Sequence, residues 1–122
     1  MTRKDTAIAF LQMVATGRAH EAFERHAAKG LRHHNTHFDA SAEALRDGMD
    51  ANARQFPDKR LEVKLALEDG DLVSTLCHVR HTKDEAGYAV AHIFRFAGNQ
   101  IVELWDLAQE VPANSPNANG MF

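Results

Sequence analysis

Cysteine is nearly absent. Cys77 is the only one in 122 residues, so no internal disulfide framework can form. No charge of one sign accumulates. The net charge is −3, and acids and bases are interspersed, which leaves no footprint for nucleic acid and no basic patch for a membrane surface. No apolar run approaches the length of a membrane span. The opening Met1-Thr2-Arg3-Lys4-Asp5 has no apolar signal core. With a single thiol, that sets the expectation of a reducing, cytoplasmic setting. Gly-rich phosphate loops and a Gly-x-Ser-x-Gly elbow are also missing, as are internal repeats. Globular proportions are present: 44% apolar residues and 25% charged. Eight histidines are the one unusual count. The length suits one domain over 1–122, with 112–122 an extended tail.

The first half has helical periods and the second half strand periods. Thr2 and Asp5 resemble a capping box before Ala7, Ile8, Phe10, Leu11 and Val14, with Gly17 as the stop. A second helix is expected over 19–28, stopped by Gly30, and a short strand or loop over 31–38. Ser41 can cap a third helix over 42–55, closed by Pro57. Leu61, Val63, Leu65 and Leu67 then alternate with polar residues, as in a strand with one dry side. Asp69-Gly70-Asp71, Asp84-Glu85-Ala86-Gly87 and Gly98-Asn99 separate three further strands, near 72–82, 88–97 and 100–111. Short turns make these strands antiparallel, and three helices on one side of a curled sheet leave a cavity for a small molecule.

On these strands His78, His92 and Asp106 occupy positions expected to be apolar. A five-residue turn over 83–87 would set His78 opposite His92. A two-residue turn at Gly98-Asn99 would set His92 opposite Trp105, and a three-residue turn would set it opposite Asp106. A bulge could change either result. Ionisable groups gathered in a low-dielectric cavity have shifted pKa values and can move protons. The bland alternative is hydrogen-bonded side chains at a sheet edge or in solvent. The cluster Arg32-His33-His34-Asn35-Thr36-His37 lacks a metal-ligand spacing, and adjacent His33 and His34 point to opposite faces of a strand. Cys77 and His78 are separated in the same way. His20, His26 and His81 read as surface or edge residues.

His34-Asn35, Leu76-Cys77-His78-Val79, His92-Ile93-Phe94-Arg95-Phe96, Ile101-Val102-Glu103-Leu104-Trp105-Asp106 and the ending Asn117-Ala118-Asn119-Gly120-Met121-Phe122 together resemble the SnoaL-like proteins. These belong to the nuclear-transport-factor-2-like superfamily, and the likeness is strongest to its aldol-condensation or polyketide-cyclase group. The resemblance implies an α+β cone: a strongly curved antiparallel sheet wrapped by three N-terminal helices and paired as a homodimer through the sheet. It also implies cofactor-independent acid–base chemistry, a cyclase, isomerase or aldol-type reaction on a small hydrophobic carbonyl compound.

On that reading Asp106 is the base that takes a proton α to a carbonyl, and His92, where relatives often have Asp, orients or charges it. His78 and His34 would donate to the developing enolate oxygen. Trp105, Phe94 and Asn35 would contact substrate. No cofactor, metal, nucleic acid or membrane is expected. Two alternatives stand beside it. A non-catalytic binding module would hold a small hydrophobic ligand in the same pocket without turnover, with Asp106 and His92 locked in a mutual ion pair that leaves no room for a substrate. A metal enzyme would need at least three of His34, His78, His92 and Asp106 converging on one point. The apolar Met121-Phe122 end is expected to fold back over the sheet or to cross to a partner.

Overall fold

The computed structural model describes residues 1–122. The chain runs α1 (Arg3–Ala15), α2 (Ala19–His26), β1 (Ala27–His33), α3 (Ala42–Gln55), β2 (Arg60–Asp69), β3 (Leu72–Arg80), β4 (Tyr88–Ala97) and β5 (Gln100–Glu110). The strands form one sheet in the order β1-β5-β4-β3-β2. The three hairpin-linked pairs are antiparallel, and β1 runs parallel to β5. The helices cover one face of this curved sheet, giving the α+β cone that the family resemblance implies.

Local chemistry sets the helix starts. The Thr2 hydroxyl accepts from the Asp5 N–H (3.0 Å), and the Asp5 carboxylate accepts from the Thr2 N–H (3.1 Å). Ser41 Oγ accepts from the Ala44 N–H (3.1 Å) at the start of α3. Arg3 then ties α1 to the sheet, donating to the carbonyls of Gly98 (3.0 Å) and Gly70 (2.8 Å) in two hairpin turns.

The core lies between α1 and the inner face of the sheet. Phe10 meets Phe94 edge-on at 6.2 Å and Phe23 at 5.3 Å. Around them are Leu11, Leu31, Val73, Cys77, Ile101 and Leu104, all buried. Burying each large side chain contributes about 1.5–3 kcal/mol.

Two elements depart from the periodic reading. The second helix ends at His26, and β1 begins at once at Ala27. Ala27 and Leu31 are buried in the core, and pairing with β5 satisfies the backbone of this segment. Gly30 is no helix stop. It sits inside β1 at φ +74°, where the register to β5 slips between Ala27 and Arg32. In β2 the alternation breaks at a bulge between Val63 and Leu65. Leu61 and Val63 pack against the core, whereas Leu65 and Leu67 emerge on the outer face.

Candidate functional site

Hairpin registers decide which polar side chains meet. In the β3–β4 hairpin Val79 pairs with Tyr88, so the connection spans 80–87 and not the shorter 83–87 turn. Side chains build this longer loop. The Glu85 carboxylate accepts from the His81 and Thr82 N–H groups, both at 2.9 Å, and His78 Nε2 donates to the Ala86 carbonyl (2.7 Å). His78 therefore lies opposite Ala89, and His92 lies opposite Thr75. The slip from the expected pairing is an odd number of residues, so His78 faces outward while His92 faces inward. Cys77, not His78, occupies the inner face.

In the β4–β5 hairpin the turn is Gly98-Asn99, with Ala97 opposite Gln100. Phe96 pairs with Ile101 and Arg95 with Glu103, leaving Val102 as an extra bulged residue. That bulge sets His92 opposite Asp106 and Ile93 opposite Trp105. Asp106 faces inward as a result, and Trp105 outward.

Inside the cone, a cavity of about 560 Å³ is lined by Asp106, His92, Asn35 and Lys59 among largely apolar neighbours such as Leu11, Val14, Met49 and Val90. Asn35 Nδ2 donates to the Asp106 carboxylate at 3.0 Å. The amide is held in that orientation because its Oδ1 accepts from the His37 N–H (2.9 Å). Buried His33 braces the same loop. Its Nδ1 accepts from the Asn35 N–H (3.1 Å), and its Nε2 donates towards the carbonyls of Asp39 (2.8 Å) and Ser41 (3.1 Å).

His92 is only 5% exposed. Its Nδ1 is buried without a hydrogen-bond partner, as is the hydroxyl of Thr75 opposite it. Its ring stacks at 6.0 Å on Phe94. Burial drives its pKa down to about 4; the Asp106 carboxylate pulls the other way, and Lys59 adds to the depression. The imidazole is thus neutral at ordinary pH, and no hydrogen bond or ion pair joins it to Asp106.

The remaining sequence-stated candidates lie elsewhere. Phe94 is wholly buried beneath His92 and belongs to the core. His34 is on the outer side, where its Nε2 donates to Glu103 (2.7 Å) and its ring stacks on Trp105 at 5.0 Å and 9°. That bond, with burial opposing it, holds the Glu103 carboxyl below its usual range. His78 stacks on Phe122 at 4.5 Å, so the tail folds back over the outer face. No group of three His, Cys, Asp or Glu side chains converges as a metal site.

Lys59, Asn52, His81 and Tyr88 line the cavity without having been singled out as pocket residues. Lys59 follows Pro57-Asp58 in a connection with no periodicity, so only the fold brings it inward. A second, larger depression of about 900 Å³ lies between α2, α3 and β1. Its ionisable side chains, His20, Glu24, Lys29, Glu43 and Arg46, all reach solvent, so it lacks the buried proton-transfer groups of the inner cavity.

A helix-wrapped curved sheet with an internal pocket of this kind defines a cystatin-like, nuclear-transport-factor-2-like domain. The SnoaL-like domain profile matches residues 7–104, and the chain belongs to that family. Solved structures share the fold. An uncharacterised cystatin-fold protein from Novosphingobium aromaticivorans is 19% identical, with a TM-score of 0.73 over 88% of this chain and 98% of that one. IdmH, a proposed polyketide cyclase from Streptomyces antibioticus, is 22% identical, with a TM-score of 0.72 over 89% and 93%. An NTF2-like protein of unknown function from Cytophaga hutchinsonii is 13% identical, with a TM-score of 0.70 over 89% and 91%. No curated protein matches the chain.

Proposed function

We propose that the chain is a cofactor-independent acid–base enzyme acting on a small hydrophobic carbonyl compound, of the cyclase, isomerase or aldol type. The observation that carries this reading is Asp106 set directly across from a buried, neutral His92 in an open cavity, with no ion pair between them. Asp106, aimed by Asn35, accepts a proton from the carbon α to the carbonyl. His92 offers its pocket-side Nε2–H to the carbonyl oxygen and stabilises the enolate as charge develops there. The enolate carbon then attacks a second carbonyl, whose oxygen takes the proton back from the Asp106 carboxylic acid, or a conjugated enolate is reprotonated by that acid at its distal carbon. Either outcome returns the proton and needs no external oxidant or reductant.

The test needs no knowledge of the natural substrate. In D2O, the protein should accelerate hydrogen–deuterium exchange α to the carbonyl of a hydrophobic ketone such as 2-tetralone, followed by proton NMR. Asp106→Asn keeps the shape and removes the base, so exchange should fall by a factor of about 100 or more. Unchanged exchange in Asp106→Asn would remove Asp106 from its role. Ketone binding without exchange in the wild type would identify a non-catalytic binding module.

A further inference from the structure

Lys59 is a half-buried cation in the cavity wall with no carboxylate partner. Its single side-chain hydrogen bond is to the Asn52 amide oxygen, which accepts from Nζ at 2.6 Å. Burial lowers the ammonium pKa, and no acid offsets that effect. The other nearby base, His81, already faces Glu85 at 3.5 Å and packs on Phe56 at 4.6 Å. The cavity wall thus carries two polar pairs, Asp106 with Asn35 and Lys59 with Asn52, and both Asp106 and Lys59 act electrostatically on His92.

A half-buried ammonium held by one neutral amide has donors left for a ligand and no acidic side chain to balance its charge. An anionic ligand oxygen would supply both missing partners. A neutral hydrophobic ligand would leave the cation as it stands and gain nothing from it.

We propose that Lys59 is an anion subsite, so that the substrate carries a negatively charged oxygen, as a carboxylate or an enolised dicarbonyl, apart from the carbon that Asp106 deprotonates. This deepens the reading of the pocket as an acid–base site and rests on it for the orientation of the ligand. The subsite itself can be tested alone. Phenylacetate and its neutral isostere phenylacetamide fit the same cavity and differ mainly in charge. Calorimetric titration of the full chain should show phenylacetate binding at least about tenfold more tightly than phenylacetamide. Lys59→Gln should abolish that preference, and Lys59→Arg should keep most of it. Asp106→Asn should keep or increase that preference, because it removes a negative charge from the same cavity, while losing α-proton exchange, so the two ideas fail separately. Equal binding of the two probes by the wild type would overturn the anion subsite, as would a preference that survives in Lys59→Gln.

Discussion

His92 owes its character to three neighbours: the core beneath its ring, Asp106 across the strand and Lys59 along the wall. Its protonation therefore reports on the intact fold. In the unfolded chain the imidazole takes a proton near 6.5, and in the fold only near 4. Between those values the unfolded state binds the extra proton, so stability is lost as pH falls through that window. The full shift is worth about 3 kcal/mol. Urea melts at pH 7 and pH 5 should register about 2 kcal/mol of it. His92→Leu should remove that part of the acid sensitivity, and an unchanged pH slope would contradict the assignment. At this scale the sequence was partly readable. Asp106, His92 and Asn35 stood out as polar residues in apolar or motif settings, and the fold gathers them. His34 and His78 stood out equally and face outward. Strand β3 has apolar residues on both sides, Val73 and Cys77 inward and Leu72 and Leu76 outward, so alternation does not reveal which way His78 points.

At the scale of elements, α3 and β4 occupy the spans their periods predicted, the ends of β2, β3 and β5 differ by a residue or two, and β1 lies at Ala27–His33, several residues before the strand or loop expected over 31–38. What periodicity did not carry is the pairing between elements. A bulge at Val102, another after Val63 and an extended 80–87 loop each reset a register, and each depends on tertiary packing and side-chain capping. Gly48 in α3 shows the same dependence. It interrupts the apolar stripe of the helix, and the structure explains why: a Cβ there would overlap the ring of Phe38, which lies over the pocket from the Asn35–Ser41 loop. Gly48→Ala gains about 1 kcal/mol of helix propensity, whereas overpacking costs about 1–3 kcal/mol. A net loss of about 1 kcal/mol is expected in a denaturant melt, with faster amide exchange from Asn35 to Asp39. A stability gain of about 1 kcal/mol would show that Phe38 is not seated there.

For the whole molecule, the outer face of the sheet is the notable surface. Leu65, Leu76, Ala91 and Leu107 form one row across four strands, and Ile93 and Trp105 lie beside it. Leu65 and Leu107 are 61% and 71% exposed. Contiguous exposed apolar rows are uncommon on proteins that act as monomers. We propose that two copies pair through this row, with the His34–Glu103–Arg95 contacts at its margin. Light scattering should give twice the chain mass at micromolar concentration, and Leu65→Lys with Leu107→Lys should return the mass to that of one chain. A wild-type monomer would oppose the pairing. No helix is long and apolar enough to cross a membrane.

The central claim is that chemistry belongs to the inner face, where Asp106, Asn35 and His92 meet, and not to the outer face, where His34, His78 and Trp105 lie. The direct measurement is the α-proton exchange rate of 2-tetralone with one variant from each face. Asp106→Asn should lose exchange by about 100-fold or more, and His78→Gln should keep it within about twofold. Loss of exchange in His78→Gln with retention in Asp106→Asn would contradict the account.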